Sequence, residues 1–467
     1  MTSWRRIGAR AAVVALGLAL WFAPVPEGLK PEAWRLFALF AATIVAVVVD
    51  ALPILTASLL AVAIAVLTRV LSPAAAYSGF ANGTILLIVV AFLVARAVVK
   101  CGLGQRIAHA VVGVFGRSTL GLAYSLFLVD AAIAPAFPSN TARSGVLYPI
   151  AFSLAKTAGA STENPDRRRV GAFLMFSGIA SLSVSSALWL TAMVANPLGA
   201  EIARPFGVDI SFGSWLVASV VPTLLAIALL PVLLYKLIRP EVTKTPDAPV
   251  AARQALKALG PLSRDERIVA VTFVAMVGLW AAGGTLNLDP TAVAFLGLGT
   301  LLTTGVLTSA DIAQEGEVLA IYLWFAILFT LSSQLNELGF MEFLGQRLAG
   351  RLGGVPPLVA GLALVVAYIA LHYLFVSQTA HLLALFGVFL DVGVRLGVSA
   401  APLAFVLLFA TNFFSALTPQ ASSANLLFAG SGFLSQGEMY RLGAICTLFC
   451  MLVYLVVGIP WLMLVAR

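Results

Sequence analysis

Two short polar clusters, far apart in the chain, carry residue types that bind anions. The first is Ser139-Asn140-Thr141, directly after Pro138, and the second is Ser377-Gln378-Thr379. Proline ends an incoming helix, and serine, asparagine and threonine are favoured where an outgoing helix begins. The first N–H groups of a helix have no intrahelical partner and carry the positive end of the helix dipole. Each cluster therefore predicts an anion-binding turn, and two such turns suit a ligand with two carboxylates.

The composition places these clusters in a membrane. Of 467 residues, 61% are hydrophobic and 10% are charged, and the mean hydropathy is +1.02. Soluble domains are about 45–50% apolar and about 25% charged, so a soluble globular enzyme is excluded. Long apolar runs also argue against a β-barrel, whose strands alternate over short segments. We expect an all-α polytopic membrane protein, in which the net charge of +8 reflects orientation rather than nucleic-acid binding.

Two segments differ from simple spans. Residues 118–157 and 356–396 are apolar but interrupted midway by the two polar clusters. With arms of about 15–20 residues and a rise of about 1.5 Å per residue, each reaches the middle of the bilayer and returns. They are predicted to be re-entrant hairpins whose tips line a cavity. The other apolar runs predict eleven spanning helices, near 8–23, 33–49, 51–70, 83–100, 169–198, 212–238, 266–283, 290–307, 317–336, 401–430 and 440–465.

The two clusters belong to an internal repeat. A shift of 238 residues places Ser139–Arg143 on Ser377–His381. The same shift aligns Phe176-Ser177 with Phe414-Ser415, and Ser185 with Ser423. We therefore expect four parts: an N-terminal first span within 1–27, a first repeat over 28–239, a linker over 240–265 and a second repeat over 266–467.

Basic residues predict the orientation. Lysine and arginine are concentrated in loops on the side of the N-terminus, which predicts a cytoplasmic N-terminus and opposite orientations of the two repeats. Inverted repeats with paired broken helices are typical of secondary transporters. We expect the bacterial cytoplasmic (inner) membrane as the location. The basic residues concerned include Arg10, Lys100, Arg106, Arg117, Lys244, Arg253, Lys257, Arg264 and Arg267.

Arg143 and His381 stand at equivalent positions, two residues beyond the paired threonines. A charged side chain at membrane depth is costly, so we expect it to be functional. The alternative for Arg143 is a structural ion pair with Asp130, and for His381 it is a packing role.

The predicted helices 169–198 and 401–430 are too long, and too polar in the middle, to be simple spans. Proline interrupts a helix, so we expect a break at 418–420 with carbonyl groups that face a cavity. The serines either line the same cavity or hydrogen-bond within their own helix. The candidates are Ser183, Ser185, Thr418, Pro419 and Ser423.

Other chemistries find no support in the sequence. It contains no nucleophile elbow, no Walker loop and no metal-binding cluster of histidine and cysteine. An intramembrane enzyme would need a nucleophile–base pair, and a passive anion channel would need a continuous polar pore. We expect neither an enzyme nor a cofactor.

Over essentially its whole length the chain resembles the divalent anion:sodium symporter (DASS) family. It is most similar to the branch of plastid 2-oxoglutarate/malate translocators and bacterial citrate:succinate antiporters. Two departures from that pattern, Gln378 and the segment Thr418–Ser423, affect the identity of the substrate. The stretches that carry the resemblance are Pro138–Gly145, Leu190–Met193, Asn196–Leu198, His372–Ser377, Thr379–His381, Ala416–Thr418 and Gly430–Gly432.

The resemblance implies eleven spans, two re-entrant hairpins, a homodimeric scaffold and an elevator-like transport domain that carries both tips. Broken helices near Ser183 and Pro419 would close the site. The residues that would contact substrate carboxylates are Ser139, Asn140, Thr141, Ser377 and Thr379.

The resemblance also bears on coupling. Sodium-coupled members place sodium ions beside the tips, where this chain has Arg143 and a protonatable His381. A fixed cation is costly to move through a membrane unless an anion neutralises it, so only the loaded carrier would move. We expect exchange of di- or tricarboxylates of the 2-oxoglutarate, malate, succinate or citrate type. The alternative is a sodium-coupled symporter with sodium near Ser139, Asn140 and Ser377.

Overall fold

The computed structural model describes residues 3–164, 168–351 and 354–465. These residues form helices and no named β-strand, with one isolated bridge between Ser118 and Lys244. The expectation of an all-α polytopic membrane protein is confirmed.

Helices of spanning length occur throughout the described residues. Seven of the nine long apolar helices, together with four shorter ones, coincide with the eleven predicted spans. The remaining two, Thr119–Ala136 and Pro357–Leu374, are the incoming arms of the predicted hairpins. The seven are Pro31–Val48, Gly83–Cys101, Arg168–Leu188, Phe212–Ile238, Arg264–Leu286, Gly316–Glu337 and Gln436–Val465, and the shorter four are Ile7–Phe22, Ile54–Leu67, Pro290–Thr303 and Ala400–Ala416.

The chain divides into two compact units. The first comprises residues up to Val89, Leu198–Asp209 and Ala313–Ala404. Its helices are Ser3–Phe22, Pro31–Val48, Ile54–Leu67, Pro73–Ala76, Ser78–Ala81, Arg204–Phe206, Gly316–Glu337, Phe340–Arg351, Pro357–Leu371, His372–Leu374, Gln378–His381, Leu382–Phe386 and Gly387–Arg395.

The second unit comprises Val90–Pro197, Ile210–Ile312 and the residues from Phe405 onward. Its helices are Leu103–Phe115, Thr119–Ile133, Ala134–Ala136, Asn140–Thr157, Arg168–Leu188, Leu190–Ala192, Phe212–Ile238, Asp247–Ala258, Arg264–Leu286, Pro290–Thr303, Phe414–Ala416, Ser423–Ala429, Gln436–Val453, Tyr454–Gly458 and Ile459–Val465. Four helices have residues in both units: Gly83–Cys101, Ala195–Ala203, Ser309–Ala313 and Ala400–Phe413.

Local sequence explains where several long helices begin. Ser211, Ser263 and Ser435 each accept a hydrogen bond from the backbone N–H three residues on, and a side chain at that third position returns one to the serine N–H. This capping box satisfies two N–H groups that the first turn leaves without an intrahelical partner. These helices therefore begin at fixed residues.

Amphipathic helices were not predicted from the sequence. Leu103–Phe115 and Phe340–Arg351 follow long spans, and Asp247–Ala258 lies within the expected linker 240–265. Ion pairs tie the first two to their surroundings: Arg106 lies 2.6 Å from Glu266, and Arg395 lies 3.5 Å from Glu342. Such helices are too polar to register as spans, although a helix with one apolar face suits the membrane interface.

Candidate functional site

The tip of the first hairpin is a serine-capped helix start. Ser139 has an extended backbone (φ −145°, ψ 125°), and its Oγ accepts a hydrogen bond from the N–H of Ala142 at 3.3 Å. The N–H of Arg143 donates to the carbonyl of Ser139 at 3.0 Å, which closes the first helical turn. The preceding Pro138 cannot donate a backbone hydrogen bond, so the incoming arm ends before it.

The tip of the second hairpin repeats this geometry. Ser377 has the same backbone angles (φ −145°, ψ 125°), and its Oγ accepts from the N–H of Ala380 at 3.3 Å. The N–H of His381 donates to the carbonyl of Ser377 at 3.1 Å. A one-turn 3-10 helix precedes each tip, Ala134–Ala136 in the first hairpin and His372–Leu374 in the second.

One tip belongs to each unit, and their convergence on one ligand stays a prediction. At the second tip, Gln378 is buried, while Ser377 and Thr379 are half-buried. At the first tip, Asn140 is buried and Thr141 is exposed.

Arg143 is fully buried and has a carboxylate partner. Its Nη1 lies 3.0 Å from Oδ1 of Asp130, and both side chains are 0% exposed. The other acceptors around the guanidinium are all neutral oxygens. They are the hydroxyl of Ser185 at 2.7 Å, the side-chain oxygen of Asn140 at 2.5 Å, the carbonyl of Leu182 at 3.3 Å and the hydroxyl of Ser186. Arg143 Nε has no partner in the described part of the chain.

The pairing with Asp130 makes this cluster electrically neutral. The expectation that Arg143 supplies an uncompensated positive charge is therefore corrected: the carboxylate of Asp130 balances it. Ser185 also donates to Asp130, so the carboxylate is itself hydrogen-bonded. Removing one partner of such a buried pair typically costs about 3–5 kcal/mol because the other charge is left unpaired.

The first long polar helix breaks later than expected. The helix Arg168–Leu188 runs through the serine run without interruption and ends at Leu188. Ser183 Oγ donates to the carbonyl of Ala180 at 2.8 Å, within its own helix. The expected break near Ser183 is thus wrong, since serine satisfied by the preceding turn leaves the helix intact. The break lies at Trp189–Val194, which we call the first break.

The second break is confirmed at its predicted place. The helix Ala400–Phe413 passes into a 3-10 turn, Phe414–Ala416, and the next helix begins at Ser423. The non-helical residues Leu417–Ser422, called the second break, contain Pro419. Thr418 is 1% exposed, and its Oγ1 has no hydrogen-bond partner within the described residues.

Both breaks contact the first hairpin tip. The hydroxyls of Thr141 and Ser423 are hydrogen-bonded at 2.6 Å, and both side chains are exposed. The N–H of Val194 donates to the carbonyl of Pro138 at 3.0 Å, and Thr191 Oγ1 donates to the carbonyl of Pro135 at 3.0 Å. The structure therefore brings the Ser139 tip, the first break and the second break together in one unit.

His381 lies in an aromatic surrounding. Its Nδ1 is 3.3 Å from Nδ1 of His372, and both rings are 0% exposed. The ring centroids of Tyr368 and Phe375 lie 4.3 Å and 4.8 Å from that of His381. This hydrogen bond requires a proton on one of the two nitrogens.

Asn196 and Asn425 were not among the predicted site residues, yet each bonds two carbonyls of a break. Their equivalence is hidden at a shift of 238 residues. In the described residues no group of three or more histidine, cysteine, aspartate or glutamate side chains is placed to hold a metal ion.

Similar proteins are transporters. The chain matches the family described as "Sodium:sulfate symporter transmembrane region" over residues 5–467. It is 40% identical to "Putative malate transporter YflS" of Bacillus subtilis, covering 96% of this chain and 94% of that protein. It is 38% identical to "Dicarboxylate transporter 1, chloroplastic" of Arabidopsis thaliana, covering 96% and 82%. It is 31% identical to the "L-tartrate/succinate antiporter" of Escherichia coli, covering 99% and 98%.

Solved structures show the same fold at low sequence identity. The YdaH transporter of Alcanivorax borkumensis matches with a TM-score of 0.60 and 16% identity, covering 99% of this chain and 97% of that chain. MtrF of Neisseria gonorrhoeae matches with a TM-score of 0.57 and 11% identity, covering 97% of both chains. Since the family match spans nearly the whole chain, this integral membrane protein is a transporter of the divalent anion:sodium symporter family.

Proposed function

We propose that the protein exchanges dicarboxylates across the membrane. The observation that carries the proposal is the pair of serine-capped helix starts with the same backbone angles and the same cap bond. Each offers the positive end of a helix to an anion. Two such turns match the two carboxylates of malate, succinate or 2-oxoglutarate, and the relatives named as dicarboxylate transporters support this substrate class.

We propose further that transport needs no sodium ion at the first tip. Asp130, Asn140 and Ser185 form part of an oxygen-rich cluster of the kind that binds hard cations. Those oxygens are already bonded to the guanidinium of Arg143. The side chain thus acts as a tethered cation, and the counter-substrate replaces sodium as the coupled species.

The neutrality of the Arg143–Asp130 pair changes the reason for exchange. The fixed charge of Arg143 is compensated, so it does not by itself oppose movement of the empty carrier. Each empty helix start still carries about half a positive charge, and a low-dielectric surrounding penalises it when no anion is bound. A bound dicarboxylate removes that penalty, so the loaded carrier is the form that moves.

The remaining parts of the proposal follow the family. They are an elevator-type movement, a homodimer, a location in the bacterial inner membrane and a cytoplasmic N-terminus. The alternative within the family is sodium-coupled symport, which predicts that uptake requires sodium and no internal substrate.

Counterflow in proteoliposomes tests the proposal. Vesicles loaded with one unlabelled C4–C6 dicarboxylate receive a trace of the same labelled acid outside, with sodium or with choline as the cation. We expect transient accumulation of label with at least one acid, equal in both salts. Accumulation only in sodium would favour symport, and no accumulation with any acid of the panel would contradict dicarboxylate exchange.

A further inference from the structure

An asparagine side chain holds the first break. Asn196, which is 0% exposed, donates through Nδ2 to the carbonyl of Ser186 at 3.0 Å and to that of Trp189 at 3.2 Å. These carbonyls lie where the helix Arg168–Leu188 ends, and helix ends lack intrahelical donors for their last carbonyls. The amide therefore replaces the missing donors.

The second break is held in the same way. Asn425, which is 2% exposed, donates through Nδ2 to the carbonyl of Ser415 at 2.7 Å and to that of Thr418 at 3.0 Å. In both breaks the two accepting residues precede the asparagine by 10 and 7 positions. The grip is therefore one device used twice.

The backbone of the two breaks matches as well. Met193 (φ −148°, ψ 136°) and Ser422 (φ −144°, ψ 139°) have nearly the same angles. The N–H of Ala192 donates to the carbonyl three residues before it at 3.1 Å, and that of Ala421 does so at 3.2 Å. The breaks thus correspond at a shift of 229 residues, whereas the hairpin tips correspond at 238. The connection after the outgoing hairpin arm is shorter in the second repeat, which accounts for part of the difference.

The first grip is linked to the helix that precedes the second break. Asn412 Nδ2 donates to Oδ1 of Asn196 at 2.8 Å and to the carbonyl of Leu408 at 2.9 Å. A side-chain amide that accepts one bond and donates two has a fixed orientation. Asn412 therefore orients the amide that holds the first break.

We propose that Asn196 and Asn425 are twin positioning residues of the transport site, an inference that rests on the proposed dicarboxylate exchange. Each keeps its break unwound by binding the carbonyls that would otherwise re-enter a helix. Through the second break, Asn425 fixes Thr418, whose buried hydroxyl has no partner among the described residues. Through the first, Asn196 fixes the segment that binds the carbonyls of Pro135 and Pro138.

Asparagine-to-aspartate variants test the inference in sodium-free exchange assays. At neutral pH an ionised aspartate has no N–H or O–H to donate, so both bonds of the grip are lost. We expect Asn425→Asp and Asn196→Asp to raise KM for the dicarboxylate by about tenfold, the scale of losing two buried hydrogen bonds, with a smaller effect on the maximal rate. Protonation at lower pH restores one donor, so the KM ratio to the unaltered protein falls.

The matched control is Asn287→Asp, because Asn287 is exposed and ends the helix Arg264–Leu286. If an aspartate variant does not assemble, Asn425→Ser and Asn196→Ser retain a neutral donor and are expected to raise KM less. A purely structural role would lower the amount of folded carrier and leave KM unchanged, which would overturn the inference. Failure of the unaltered protein to exchange any dicarboxylate would instead overturn the proposed function.

Discussion

At the scale of single residues, Arg143 determines how the first hairpin is charged. Its guanidinium is bonded to a carboxylate and to neutral oxygens, in the manner of a bound cation. The charge is local and balanced, so its role is to fill and organise the cluster beside the Ser139 tip. This separates two properties that the sequence pattern combined, namely occupation of a cation position and net charge of the empty carrier.

Replacing Arg143 tests this role. Arg143→Ala leaves Asp130 buried without its partner, and we expect sodium-free exchange to fall at least about a hundredfold, in line with the cost of breaking a buried pair. High sodium or guanidinium chloride should restore part of the activity, because either cation fits the vacated oxygen cluster. Labelled succinate exchange in the two salts measures this.

The double variant Asp130→Asn/Arg143→Gln serves as the control for stability, since both side chains stay polar and the pair stays neutral. Normal exchange by Arg143→Ala without added cation would contradict the tethered-cation interpretation.

The hydroxyl pair Thr141–Ser423 gives a second prediction at this scale. Both hydroxyls are exposed and lie 2.6 Å apart, between the first tip and the helix after the second break. We expect Thr141→Val and Ser423→Ala each to raise KM about fivefold, the effect of one lost hydrogen bond of about 1 kcal/mol. The double variant should be less than multiplicative because the two hydroxyls share a bond. Thr157→Val, on the same helix and bonded only to the carbonyl of Ser153, should leave KM unchanged.

Residue-scale prediction from the sequence reaches only as far as local patterns do. The serine caps were predictable because proline and cap residues stand next to each other in the chain. Asp130 was foreseeable as a partner of Arg143, 13 residues away across the hairpin turn. The Thr141–Ser423 bond spans 282 residues, and no local pattern reports it. The twin asparagines escaped notice because the breaks and the tips follow different shifts.

At the scale of elements, a helix start can be capped and still repel an anion, and this distinguishes binding from folding. Aspartate is a good N-cap residue, but its carboxylate occupies the place of a bound anion. We expect Ser139→Asp and Ser377→Asp to yield folded protein with dicarboxylate exchange abolished.

The matched control is Ser118→Asp. Ser118 caps the incoming arm of the first hairpin through the N–H of Gly121 at 3.0 Å, away from either tip in the sequence. Exchange and yield should both be retained. Unimpaired exchange by either tip variant would mean that the tips do not bind the substrate.

Element-scale prediction succeeded where the chain carries strong breakers. The hairpin turns and the break at Pro419 follow from proline and cap residues. The break expected near Ser183 lies after Leu188, because the serines bond within their own helix and do not interrupt it. The amphipathic helices were missed because their polar faces lower the mean hydropathy of the segment.

At the scale of the whole molecule, composition alone predicted the class of protein. An apolar chain with few charges leaves only a helical membrane protein, and the family match over residues 5–467 agrees. The division into two units, each with segments from distant parts of the chain, was not predictable. Contacts between distant helices determine such units, and hydropathy does not encode them.

The central claim at this scale is obligate exchange without sodium, and efflux from preloaded vesicles tests it most directly. Proteoliposomes filled with labelled succinate are diluted into sodium-free buffer without substrate, and unlabelled dicarboxylate is added later. We predict that the label is retained until the external dicarboxylate arrives and is then released rapidly. Release of the label into substrate-free buffer, or release that waits for sodium rather than for dicarboxylate, would contradict the claim.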